Sequence, residues 1–201
     1  MPALFGDRLF TALEQGVPAP GMLLVSAPGM ADPNYERSVL LIVEHNETMT
    51  FAVDLTKRSE VAVFNVMPDW IPCVAQPQAL YIGGPLNQQA VVGLGMTRVG
   101  VRMEDAPQLN RLANRLAHVD LRSDPEDIEQ LVDGMRLFAG YSQWSPGQLD
   151  DEIARGDWFL APALPSDVIV PARVDLYGAV MRRQAMPLPL FHTYPVDPSD
   201  N

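Results

Sequence analysis

One cysteine, one lysine and three histidines occur among 201 residues, and each scarcity excludes a class of chemistry. Cys73 has no partner for an internal disulfide, which fits a reducing cytoplasm. The histidines His45, His118 and His192 are never two or four residues apart, so they offer no convergent ligand set of the kind zinc needs. No cofactor or metal is therefore expected. Lys57 has no serine three positions before it and no Gly-x-Ser-x-Gly elbow occurs, which removes the serine-lysine and nucleophile-elbow arrangements. Long apolar runs are missing too: crossing a bilayer takes roughly 18 residues, and the longest run, Val39 to Val43, is strand-sized. The N-terminal stretch meets Asp7 early and has no basic region leading into an apolar one, so no secretion signal is expected. A soluble, cytoplasmic chain is the expectation.

What is present is acid and apolar surface. Acidic side chains number 25 against 14 basic ones, a formal net charge of −11, while 47% of residues are hydrophobic and 19% charged. A 22.1 kDa chain buries roughly 70% of its extended surface, enough for one core without staples. One domain over residues 1–201 is expected, with a core at about 21–190, an N-terminal helix and linker over 1–20, and a tail over 191–201. Residues 104–157 hold 12 acids and 5 bases, most of the excess. Duplex nucleic acid is held by cations on phosphates, and the only adjacent cation pairs are Lys57-Arg58 and Arg182-Arg183. Direct nucleic-acid contact is disfavoured.

Hydrophobic periodicity and breakers outline the elements. Leu9, Phe10 and Leu13 predict a short helix from Asp7 to Gln15. Met22–Ala27 and Ser38–Glu44 read as strands, the second apolar on both faces and paired with Thr50–Leu55 across a polar turn. Asp32-Pro33 reads as the cap and first position of one helical turn. Lys57–Pro77 is mostly irregular; Ala79–Ile82 and Ala90–Met96 are strands. Leu109, Leu112 and Leu116 predict a helix over Gln108–Leu116. Asp124-Pro125 opens another helix that Gly134 ends, and Met135–Ala139 is strand. Ser145, three residues before Gln148, has the spacing of a capping box, with Pro146 first in the helix and Gly156 as its left-handed stop. A strand over Asp157–Ala161 and a helix over Asp175–Gln184 complete the reading.

Several of these residues, taken in order, resemble the AlgH/YqgE-like family of bacterial proteins: Pro28, Asp32-Pro33, Arg37-Ser38-Val39, Glu44-His45, Gly83-Gly84-Pro85, Phe138 through Trp144, Gly147-Gln148-Leu149, Glu152-Ile153 and Trp158. The match spans about residues 21 to 190, and the ending from Leu190 to Asn201 resembles the actinobacterial branch. The resemblance implies a single-domain α+β fold, in which a bifurcated mixed β-sheet curls into a pseudo-barrel with flanking helices. It implies no established activity; family members sometimes carry a regulator label without a recognised DNA-binding motif. Family members usually end one strand with Asn-Arg-Pro or Asn-Lys-Pro, where this chain has Asp54-Leu55-Thr56-Lys57.

Candidate site residues follow from the turns and the aromatics. Gly140-Tyr141-x-x-Trp144 reads as a junction between a strand and the capped helix, where aromatic groups with polar handles form recognition surfaces. A cleft is expected where this junction meets the Asp32–Ser38 turn and the Gly83–Pro85 turn, lined by Asp32, Arg37, Ser38, His45, Gly83, Gly84, Tyr141, Trp144 and Gln148. The competing structural readings are a sheet-edge role for Tyr141 and Trp144, a backbone-bonding hydroxyl for Ser38, a turn histidine at His45, and a positive-φ turn at Gly83-Gly84. The expected function is a non-enzymatic, monomeric small-ligand or protein-binding domain. The alternatives are a small hydrolase or transferase using His45 with Glu44 or Asp32, and a regulator that acts without direct DNA contact.

Overall fold

The segment that reads as apolar on both faces, Ser38–Glu44, lies inside one curled sheet with a strand on either side. A computed structural model describes residues 16–193 apart from Ala172. Its strands are β1 (Met22–Ser26), β2 (Val39–His45), β3 (Thr50–Asp54), β4 (Arg58–Ala62), β5 (Ala79–Ile82), β6 (Leu86–Thr97), β7 (Leu109–Ala113), β8 (Leu116–Val119), β9 (Val132–Trp144) and β10 (Trp158–Pro162). Among the described residues, three α-helices pack with them: α1 (Pro125–Leu131), α2 (Gln148–Arg155) and α3 (Leu176–Arg182). The strand path is β10-β1-β2-β3-β9-β6-β8-β7, and β5 branches from β9 carrying β4. Pairing is antiparallel except between β5 and β9. This is the single-domain, bifurcated α+β sheet expected from the resemblance.

Strand β9 makes the fork. Its first part pairs with β6 over Val132 to Ala139, while its end, Ser142 to Trp144, pairs with β3. At the branch, Gly140 (φ +75°) faces Gly83 and Gly84, and a Cβ at Gly140 would lie 2.6 Å from the Gly84 oxygen. Only a residue without a side chain lets the two backbones come this close. Gly83 and Gly84 themselves lack positive φ, so close approach, and not a left-handed turn, is what their sequence position encodes.

Strand alternation sorts the side chains into layers. Leu23, Val25, Leu41, Val53 and Phe138 point into the curl, which α3 fills with Val180 and Met181. Leu24, Leu40 and Ile42 point the opposite way, under Leu149 of α2 and the indoles of Trp144 and Trp158. A third cluster packs Ile128 of α1, Trp70 and Cys73 on Met135 and Leu137. Each fully buried aliphatic side chain contributes about 1.5–3 kcal/mol, so β1 and β2 are anchored from both sides.

Most helix signals hold at the residue level. Asp32 caps a single 3-10 turn, Asp124 caps α1, and Gly156 (φ +86°) ends α2. The helix expected over Gln108–Leu116 is instead the β7–β8 hairpin, turning at Arg115 (φ +54°). Its leucines are spaced for a helix, but pairing of β8 with β6 and of β7 with β8 buries Leu116 in the curl and Leu109 with Val119 in the third cluster, and those non-local contacts override local propensity. The Lys57–Pro77 segment holds β4 and two 3-10 turns. Gly140–Trp144 is not a junction loop: β9 runs through it. Helix α2 starts at Gln148 after Gly147 (φ +77°), so Pro146 precedes it and only half the capping box forms, with Gln148 Oε1 accepting from the Ser145 N–H at 3.1 Å. The helix expected over Asp7–Gln15 lies outside the described residues.

Candidate functional site

A cleft of about 340 Å³ opens where the 3-10 turn after Asp32, the end of β9, helix α2 and the start of β10 meet. Its floor is aromatic. Trp144 and Trp158 lie edge to face at 6.0 Å, and the half-buried Tyr35 ring sits 5.2 Å from Trp158 and 6.5 Å from Trp144. Offset and perpendicular ring pairs of this kind add to the burial energy through their quadrupoles. The Tyr35 hydroxyl donates to Ser142 Oγ at 2.9 Å. Burial pushes the Tyr35 phenol above its ordinary value, an effect that bond to Ser142 partly offsets.

Glu152 organises the wall. Its Oε2 accepts from both indole N–H groups, Trp144 Nε1 at 2.8 Å and Trp158 Nε1 at 2.9 Å, while Oε1 accepts from Gln148 Nε2 at 3.0 Å. Bonds to an ionised carboxylate are the stronger kind, so two large rings and a helix are locked to one another through a single side chain. Asp32 caps the Asn34 N–H through one oxygen, and Arg155 pairs with Asp157 at the rim. Asp32, Glu152 and Asp157 thus face one arginine across an aromatic floor.

Of the nine residues predicted from the sequence, Asp32, Trp144 and Gln148 line this cleft. The others do not. Tyr141 points to the opposite side of β9 and packs edge-on against Phe51 at 4.8 Å. Gly83 and Gly84 form the branch of the sheet. Ser38 is fully buried; its N–H donates to Ser26 Oγ, and its own hydroxyl has no hydrogen-bond partner, contrary to the backbone-bonding role read from the sequence. His45 sits in the β2–β3 hairpin with Nδ1 2.7 Å from Thr50 Oγ1, away from Asp32. Arg37 lines a second cleft. No group of three or more histidine, cysteine, aspartate or glutamate side chains among the described residues is arranged to hold a metal ion. Burial pushes the Cys73 thiol up to about 11, and its Sγ lies 3.3 Å from the Pro125 carbonyl oxygen.

Sequence reasoning missed Tyr35, Glu152 and Trp158 as site residues. The available signal was the helical spacing of Gln148 and Glu152, which puts both on one face of α2.

Residues 23–189 match the AlgH-like family model, which spans the sheet, the fork and the aromatic cleft. The chain belongs to the AlgH-like family. A UPF0301 protein of Corynebacterium efficiens is 59% identical over all 201 residues of both chains, and one of Mycobacterium tuberculosis is 47% identical over 181 residues, 90% of each. With further relatives in Rhodococcus, these place this AlgH-like chain in the actinobacterial branch. The X-ray crystal structure of a Corynebacterium diphtheriae protein, 62% identical, matches with a TM-score of 0.91 over 95% of this chain and all of that one. The solution structure of AlgH from Pseudomonas aeruginosa matches with a TM-score of 0.64 at 23% identity, over 91% and 98% of the two chains; at that identity the likeness concerns the fold. No helix of the described residues is long and apolar enough to cross a membrane.

Proposed function

We propose that this AlgH-like chain is a non-enzymatic binding domain that holds a cationic group, a small amine or a basic side chain of a protein partner, in the aromatic cleft. The observation carrying this reading is the Glu152 carboxylate set between two indole N–H groups beneath Tyr35. Aromatic faces combined with carboxylates favour cations, and the lining carries Asp32, Glu152 and Asp157 against Arg155, with the Lys57 ammonium 5.8 Å over the Tyr35 ring. None of the lining residues is a serine, cysteine or histidine that could act as a nucleophile or base in hydrolysis. The cleft is also built before any ligand arrives, because Glu152 and the rings are held by one another, which lowers the ordering cost of binding. Cytoplasmic location, a monomeric state and the absence of direct DNA contact belong to the same reading; they rest on the lone buried thiol, the lack of a coiled-coil heptad and the scarcity of adjacent cations.

The test is an amide chemical-shift titration of the full chain with butylammonium and, separately, with the neutral amide of similar shape. Shifts centred on Tyr35, Gln148 and Trp158 with the ammonium, weakened in Tyr35→Ala and Gln148→Ala, are expected. Equal response to the neutral compound would overturn the cation assignment. No response to either, together with no basic peptide captured by the wild type, would overturn the binding role.

A further inference from the structure

Arg58 belongs to one of two adjacent cation pairs in an otherwise acidic chain and does not line the aromatic cleft, whereas its neighbour Lys57 holds its ammonium 5.8 Å over the Tyr35 ring. Arg58 opens β4 and lines a different cleft of about 210 Å³, shared with Arg37, Tyr81 and Val174. The two clefts have no lining residue in common.

Three guanidinium groups gather here. Arg37 stands on a backbone with φ +47°, a conformation uncommon for a residue with a long side chain. Its guanidinium is fixed 4.6 Å over the Tyr177 ring and 2.7 Å from Asp175. Asp175 is fully engaged, since its other oxygen accepts from the Gly178 N–H of α3, and Tyr177 is pinned through its hydroxyl to the Ser26 carbonyl. Arg136, only 1% exposed, lies behind the wall: it stacks 4.6 Å from the Tyr81 ring and donates to the carbonyl oxygens of Gln76, Pro77, Val168 and Val170. Tyr81 and Val170 both face the cleft. Among the described residues, no carboxylate forms an ion pair with Arg58 or Arg136.

The balance decides what the cleft prefers. Arg37 is matched by Asp175, which leaves two uncompensated positive charges around one concavity of a chain carrying −11 overall. Arginine stays protonated even when buried, and a low-dielectric wall transmits the field of Arg136 with little screening. Apart from Thr56, the remaining lining is apolar: Leu55, Val170, Pro171, Val174, Leu176 and the tyrosine rings.

We infer that this cleft binds a small organic carboxylate, with Arg58 contacting the carboxylate directly, Arg37 held beside it, and the apolar body resting on Val174 and the tyrosine rings. Arg136 is a positioning residue that supplies field through the wall. A guanidinium contributes paired donors that match a carboxylate, and the apolar lining selects an organic acid over an inorganic oxyanion.

Benzoate, benzyl alcohol and inorganic phosphate are the probes, titrated separately into the labelled full chain at low salt while amide shifts are followed. Benzoate is expected to move Thr56, Arg58, Val174 and Tyr177, to lose affinity with added salt, and to bind about tenfold or more weakly to Arg58→Ala, as expected when a charged hydrogen-bond partner is removed. Arg58→Lys should recover part of that loss. Arg58 is exposed, so its variants retain the fold, which the unchanged amide spectrum outside the cleft checks. Benzyl alcohol binding as well as benzoate, phosphate binding as well as benzoate, or an Arg58→Ala variant with wild-type affinity would each overturn the assignment. Absence of any shift with millimolar benzoate would do so as well.

Discussion

The two clefts solve the same physical problem in opposite ways. In the aromatic cleft one carboxylate, Glu152, collects N–H donors from two indoles and a glutamine, all side chains. Behind the other, one guanidinium, Arg136, collects four acceptors, all backbone carbonyls. Side-chain partners can be exchanged by mutation without moving the chain. Backbone partners cannot, so Arg136 joins the turn at Gln76-Pro77 to the segment at Val168–Val170 and is a structural rivet as well as a source of charge. A buried ion is costly unless its bonding capacity is filled, and each cleft fills it with whatever its neighbourhood supplies.

That contrast orders the expected effects of mutation. Removing the Trp144 ring should be the most damaging change, because it opens a cavity in the layer beneath α2 and leaves Glu152 short of a donor: Trp144→Ala should lose about 3–5 kcal/mol in urea unfolding. Arg136→Met should follow, at about 3 kcal/mol or more, since four carbonyls, that of the buried Val168 among them, lose their donor. If Arg136→Met costs less than Glu152→Leu, the distinction between backbone and side-chain partners is wrong. Glu152→Leu strands two buried indole N–H groups and should cost about 2 kcal/mol, whereas Glu152→Gln, which keeps an acceptor oxygen, should cost about 1 kcal/mol. Arg58→Ala should change stability by less than about 0.5 kcal/mol while altering only the anion response.

Protonation offers a test away from both clefts. Burial holds the His118 imidazole below its ordinary value, against the opposing influence of Asp120 and Glu44. The unfolded chain therefore takes up a proton at this site before the folded one does. This contribution to stability is complete above the unfolded value near 6.5 and declines as pH falls below it. His118→Gln should flatten that acid-side slope in pH-dependent urea unfolding; an unchanged slope would assign the effect elsewhere. At the alkaline end, Cys73 should react slowly with a thiol reagent in the folded chain, because burial disfavours its thiolate. It should react fast after unfolding.

How much of this was legible in the sequence depends on the range of the interaction involved. The caps at Asp32, Asp124 and Gly156 are local, and the residues that make them stand within a few positions of one another. The two-sided burial of Val39–Val43 was legible for the same reason: an uninterrupted apolar run is meaningful only if both faces are covered. The β7–β8 hairpin was misread because its leucines carry helical spacing and their strand partner, β6, arrives from elsewhere in the chain. Within the site, Trp144 and Gln148 were legible from an aromatic and a cap residue at the start of α2. Tyr35 and Trp158 were not, since nothing near either residue announces that the two rings meet over Glu152.

By itself the sequence determined the family, the fold class, the caps and the acidic balance, because each is carried by composition or by residues close together along the chain. The tertiary structure alone decided where the charges face. Arg37, Arg58 and Arg136 are scattered over a hundred residues, yet the fork at β9 brings β5 and the base of β4 against the loop before α3 and aligns them on one cleft. Glu152 finds two indoles for the same reason. Long-range strand pairing sets these distances, and no local propensity encodes them.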